Sequence, residues 1–195
     1  MCHPASSKNY RPEGLNSFPC SFVRKPSGRL KGETMSTLFI GYGNPDRQDD
    51  GVAWHVLTGI AQELGAEPSS SWEDPLPSTP EADFAFHLQL TPELAEDITA
   101  YDRVCFVDAH TGNIPENVQV VDVTPEYQTS PFTHHLTPEM LLSMGQELYQ
   151  KTPEAILVSV RGYEFGFKTE LSPFTSSLVT EAVERTVGWL KAEEF

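Results

Sequence analysis

Short apolar runs alternate along this chain with segments of helical period, and that alternation restricts the fold more than any other feature. Leu38 to Tyr42, Phe84 to Leu90, Arg103 to Ala109, Asn117 to Val123 and Ala155 to Gly162 read as strands. The last is apolar at nearly every position, as expected of a strand buried on both faces. Asp50 to Leu64 carries Val52, Val56, Ile60 and Leu64 at every fourth residue, one face of a helix. Thr91 to Ala100 and Thr137 to Gln150 both open on Thr-Pro-Glu, with the threonine placed to cap and the proline at the first helical position. A closing helix from about Thr175 to Ala192 has Leu178, Val179, Ala182, Val183, Val187 and Leu190 as its stripe. The pattern predicts an α/β fold, a three-layer αβα sandwich. Its mostly parallel twisted sheet has about five strands, with helices on both faces.

Residues 1–34 stand apart. They are rich in Pro, Ser, Gly and Arg, show no apolar period, and read as a flexible N-terminal extension. Residues 35–195 form the expected single α/β domain. The chain holds 13 basic and 28 acidic residues, unevenly distributed. Six of the basic residues lie in 1–34 beside only Glu13 and Glu33, so the remainder carries 7 basic and 26 acidic residues. A body so acidic repels polyanions, and nucleic acid is not expected as a partner. No apolar run approaches the roughly 20 residues that span a bilayer, so no membrane association is expected either. Cys2, Cys20 and Cys105 form no C-x-x-C pair and their odd count argues against a disulfide framework. A reducing cytoplasm is the expected compartment, and a monomer the expected state.

In an open parallel sheet, ligands bind beyond the carboxyl ends of the strands. The first strand ends in "GYGNPDRQDDG", where Gly41 and Gly43 permit unusual backbone angles and a close approach to a ligand. A dinucleotide fingerprint would need a third glycine at Asp46, and the carboxylates that follow would repel a pyrophosphate. Asp49 and Asp50 stand side by side at the start of the predicted helix. Helix capping accounts for one aspartate. A cation in front of the turn would account for both, because it relieves their repulsion. The third strand ends at Asp108, with His110 close by. "SPFTHHLTPEM" places His134 and His135 just before a helix that must return to the sheet. Two carboxylates and one imidazole suit a first-row divalent metal such as Ni²⁺ or Zn²⁺, leaving coordination positions open.

From about Thr37 to Leu190 the chain resembles the hydrogenase maturation endopeptidases, which process the large subunit of nickel–iron hydrogenases. The resemblance rests on four blocks in order: "GYGNPDRQDDG", "VCFVDAHTG", "THHL" and the final strand followed by Leu-Ser-Pro and the last helix. It implies Asp50, Asp108 and His134 as metal ligands, with His135 an alternative to His134. Asp49 becomes a residue that caps or orients the turn. No residue is assigned to activate water; Asp49 and Gln89 are the candidates for a catalytic part.

The implied activity is removal of a C-terminal extension from the hydrogenase large-subunit precursor after nickel insertion. The nickel is carried by the substrate, and other divalent metals can substitute. The alternative is a non-catalytic metal-checkpoint chaperone that binds the precursor without cutting it. The sequence departs from the family in two places. The spacer Asp46 to Gln48 is polar where many members have apolar residues and glycine. The second strand runs into "FHLQLTPEL", where many members have an aspartate and a glycine-rich loop. These departures imply a divergent subfamily acting on a different hydrogenase class.

Overall fold

The structure is a computed structural model that describes residues 35–126 and 136–192. The chain folds as β1 (Thr37–Tyr42), α1 (Val52–Glu63), β2 (Ala82–His87), α2 (Leu94–Ile98), β3 (Arg103–His110), β4 (Val118–Asp122), α3 (Pro138–Tyr149), β5 (Glu154–Arg161) and α4 (Pro173–Lys191). A kinked 3-10 segment, Pro45–Gly51, joins β1 to α1. The strands form one sheet in the order β2-β1-β3-β5-β4, parallel except where β4 runs antiparallel to β5.

The alternation of side chains along each strand builds the layers. On β1 and β3, Phe39, Cys105 and Val107 join one core with α1 and α4. The intervening Leu38, Ile40, Val104 and Phe106 join a second core with α2 and α3. Both faces of the sheet are therefore covered. The helices place most of their stripes as their spacing predicts: Val52, Val56 and Ile60 are wholly buried, as is Ala182, and Val183, Val187 and Leu190 are nearly so, while Leu64, Leu178 and Val179 pack at the margin of the core, partly buried. Gly41 has a packing role in this interface, because a Cβ there would stand 2.8 Å from Leu57.

Helix starts follow the predicted capping in part. Thr137 caps α3, its hydroxyl accepting from Met140 N–H at 3.4 Å. Ser172 caps α4 two residues ahead of its first helical turn's Phe174, so that helix begins earlier than its apolar stripe suggested. Thr91 does not cap α2. The stretch from Thr91 runs through turns in which Leu94, Ala95 and Glu96 N–H bond the carbonyls three residues back, and only Leu94–Ile98 is α-helical. The predicted extension, residues 1–34, lies outside the described residues. Among the described residues, no helix is long and apolar enough to cross a membrane.

β1 is the point where the winding reverses: β2 lies on one side of it and β3 on the other. Chain leaving these strands splays to opposite sides there, and a crevice opens at the carboxyl edge between β1 and β3.

Candidate active site

A cleft of about 610 Å³ occupies that crevice. Tyr42 and Gly43 from the end of β1, Asp50, Asp108 from β3, Leu88 to Pro92 after β2, and Leu136 to Pro138 with Met140 around the start of α3 line it. Strand alternation explains two of these. Tyr42 continues the row of Leu38 and Ile40, and Asp108 that of Val104 and Phe106, so both face the α2–α3 side of the sheet.

The glycine turn delivers Asp50. Gly43 has φ +139°, and a Cβ there would come within 2.0 Å of the Asp50 carbonyl oxygen. That contact, rather than a ligand, requires the glycine. Asn44 caps the 3-10 segment, accepting from Asp46 N–H at 3.0 Å, while its own N–H donates to Asp50 Oδ2 at 3.1 Å. Neither Asp49 nor Asp50 caps α1; its cap position is Gly51, without a side-chain bond. The capping explanation for one member of the pair is thus replaced by another.

Asp49 is completely buried and turned away from the cleft, into the loop between β5 and α4. Its carboxylate accepts from Tyr163 N–H and Glu164 N–H at 2.8 Å each, and from Ser172 N–H at 2.7 Å. The Ser172 and Thr175 hydroxyls donate at 2.7 Å each. Burial alone would raise its pKa, but the donors from Glu164, Ser172 and Thr175 outweigh that and hold the carboxyl below its usual range. Held by five donors and sealed from water, Asp49 is out of reach of a substrate in the cleft. The expectation that it is a candidate for catalysis is corrected: it is a brace between two loops.

Gln48 strengthens the brace. Its backbone stands at φ 58°, ψ −112°, a region that costs a non-glycine residue on the order of 1–3 kcal/mol. Its side chain accepts from Gly166 N–H at 3.2 Å and donates to Glu164 at 2.8 Å, and its N–H donates to the Lys168 carbonyl at 2.8 Å.

Asp108 differs from Asp49 in every respect that matters. Burial pushes its carboxyl up to about 7, and the neighbouring Asp50 charge adds to this, against the lowering influence of Ala109 N–H at 2.7 Å and the Tyr42 hydroxyl. Tyr42 in turn is held well above the ordinary phenol value, by burial first and then by the Asp108 charge. Tyr42 was not a sequence candidate; its place on the same strand face as the cleft was the available signal. An acid held back from ionising by burial, with a second carboxylate beside it, makes a pocket that gains by admitting positive charge.

Gln89 is exposed and lines the cleft. A neutral amide can orient water but cannot accept its proton, so Gln89 falls short of a general base. His87, at the end of β2, does not line the cleft, and burial lowers its pKa. His110 is buried with Nδ1 accepting from Gly112 N–H at 3.2 Å, and it also stands outside the cleft lining. His134 and its alternative His135 lie outside the described residues, just before the chain re-enters the cleft wall at Leu136. Among the described residues no three His, Cys, Asp or Glu side chains group as a metal site. The described part of the site is therefore a pair of carboxylates.

No protein-family model matches the chain, and no curated protein does. Solved structures do. The hydrogenase maturating endopeptidase HybD of E. coli superposes with a TM-score of 0.59 at 18% identity, over 82% of this chain and 94% of that one. The [NiFe] hydrogenase maturation protease HycI of Thermococcus kodakarensis gives 0.57 at 22% identity, over 80% and 93%. A hydrogenase 2 maturation peptidase from a Thaumarchaeota archaeon gives 0.52 at 17%, over 81% and 99%. At these identities the likeness is one of fold, and it spans nearly the whole of each relative: the chain has the fold of the hydrogenase maturation endopeptidases.

Proposed function

We propose that this protein is an endopeptidase that removes the C-terminal extension of a nickel–iron hydrogenase large-subunit precursor once nickel is in place. The observation that carries the reading is that Asp50, from the 3-10 segment after β1, and Asp108, near the carboxyl end of β3, line one cleft at the switch point of this fold. Asp50 and Asp108 supply oxygen donors and His134 the nitrogen donor to a nickel ion that belongs to the substrate. Oxygen and imidazole donors suit a first-row divalent ion. Asp108 also fits a cation electrostatically, since burial and the nearby Asp50 charge oppose its ionisation when no positive charge is present.

The chain's own residues would act chiefly by positioning. Capturing the nickel through three side chains fixes the precursor relative to the cleft, and Tyr42 orients Asp108 through its hydroxyl. Gln89 can hold a water on the far wall. The ion supplies Lewis acidity toward the scissile carbonyl when the substrate is bound.

Selectivity follows from the same arrangement. A precursor without nickel presents no positive charge to offset the half-buried carboxylates of the cleft, so it binds poorly and is spared. The test is to incubate the purified protein with nickel-loaded precursor and weigh the precursor by mass spectrometry. Loss of its C-terminal extension with the wild type, and none with Asp50→Ala or Asp108→Ala, is the expected result. A stable complex without cleavage would instead identify a metal-checkpoint chaperone. Normal processing by both variants would remove the metal-capture reading altogether.

A further inference from the structure

Asp50 reaches the cleft from a turn that has little slack of its own. A Cβ on Gly43 would stand 2.0 Å from the Asp50 carbonyl oxygen, and one on Gly51 would stand 2.6 Å from Pro45 Cα, so the turn packs on itself. Among the described residues the Asp50 carboxylate accepts one hydrogen bond, from Asn44 N–H inside the same turn. Its direction is therefore set by how the turn as a whole is held.

The hold comes from the β5–α4 loop, through the two residues before Asp50. Gln48 is 4% exposed and stands at φ 58°, ψ −112°. That is the mirror image of an ordinary extended conformation, which glycine adopts freely and glutamine does not. A glycine would complete the turn without strain, so the backbone path does not call for a glutamine. What the glutamine adds is its side chain. Nε2 donates to Glu164 Oε2 at 2.8 Å, and Oε1 accepts from Gly166 N–H at 3.2 Å. The grip centres on Glu164, whose carbonyl also accepts from Asp49 N–H at 3.1 Å and whose N–H donates to Asp49 Oδ2 at 2.8 Å. Glu164 itself is exposed, and neither it nor Gln48 lines the cleft.

We infer that Gln48 and Glu164 are positioning residues for Asp50: their side-chain bond fixes the turn on the β5–α4 loop at the angle that presents the Asp50 carboxylate to the cleft. A misplacement of about 1 Å, caused far from the chemistry, is enough to slow a reaction about a hundredfold. The inference rests on the protease reading and deepens it, since it adds a pair outside the cleft that governs a group within it.

The experiment uses the full chain and nickel-loaded precursor, with kcat, KM and the melting midpoint measured for each variant. Gln48→Gly removes the side-chain bonds and the strain together. Its kcat should fall about tenfold or more while KM stays within about threefold, and its melting midpoint should drop by no more than about 3 °C. Should it melt lower than that, the variants of the exposed Glu164 decide alone. Glu164→Ala should lower kcat about fivefold. Glu164→Gln, whose amide oxygen still accepts from Gln48, should recover to within about twofold of wild type. The double variant Gln48→Gly with Glu164→Ala should be no slower than Gln48→Gly, because both remove one bond. Wild-type kcat in Glu164→Ala, no recovery in Glu164→Gln, or losses that multiply in the double variant overturn the positioning role and leave the protease reading intact. A wild type that does not cleave the precursor overturns that reading, and the positioning role with it.

Discussion

Asp49 and Asp50 are neighbours in sequence, yet they belong to two regions built on opposite principles. In the seam between residues 45–51 and the β5–α4 loop, polar groups are paired to saturation, and Asp49 alone accepts five hydrogen bonds. In the cleft, Asp50 accepts one among the described residues, from Asn44, and Asp108 is driven toward its neutral form by burial. The same side chain is a strut in one place and an acceptor with fewer donors in the other. The difference lies in the number of donors the surrounding backbone aims at it. A carboxylate's chemistry is thus decided less by its exposure than by how much of its hydrogen-bonding capacity the fold has already used.

The contrast can be broken most forcefully at Asp50 and Asp108. Either residue changed to Ala should reduce processing by about a hundredfold or more, as expected when a metal-positioning group is lost, with stability shifted by less than about 1 kcal/mol. A precursor-cleavage assay paired with urea unfolding reads both quantities. Asp49→Ala should do the reverse in origin: it strands buried donors and should cost about 3–5 kcal/mol of stability. Any loss of activity would follow from displacement of Asp50. Because the Asp49 pKa is held down in the fold, its contribution is complete above the ordinary value near 3.8 and fades as the pH falls through the lower folded value. Unfolding of the wild type in acid should therefore be steeper than that of Asp49→Asn.

Asp108 sharpens the comparison with the opposite sign. Its pKa is raised to about 7, so ionising it opposes folding, and wild-type stability falls as pH rises from the ordinary carboxylate range through that value. Asp108→Asn should melt about 2–4 °C higher than wild type at pH 8 and at the same temperature at pH 4. Added Ni²⁺ should narrow the gap at pH 8. The smallest effect is expected from deletion of residues 1–34, which should move the melting midpoint by no more than about 1 °C, the size of surface changes outside the core.

Much of this architecture was legible in the sequence because local rules produce it. Apolar stripes of helical period marked α1 and α4, and the nearly continuous apolar run 155–162 marked a strand with both faces packed. Asp50 and Asp108 could be found because strand ends in a parallel sheet are where ligands bind, and each follows an apolar run. The fate of Asp49 could not. Its donors lie 114 to 126 residues downstream, in Tyr163, Glu164, Ser172 and Thr175, and no local period encodes such a pairing. Gln48 was equally opaque, since a left-handed glutamine is tolerated only through bonds made to a distant loop. The reach of α2 was overestimated because Thr-Pro-Glu also suits a run of tight turns. His134 lies outside the described residues.

The adjacency of strut and acceptor restricts how the turn between Asn44 and Gly51 can vary in length. An insertion or deletion of one residue there would slide the register, swinging the carboxylate meant for the cleft into the seam and leaving the seam's donors facing an unsuitable side chain. The long loop between α1 and β2 is pinned differently, by Leu76 in the core and Trp72 against Phe86, and carries no such reading frame between those points.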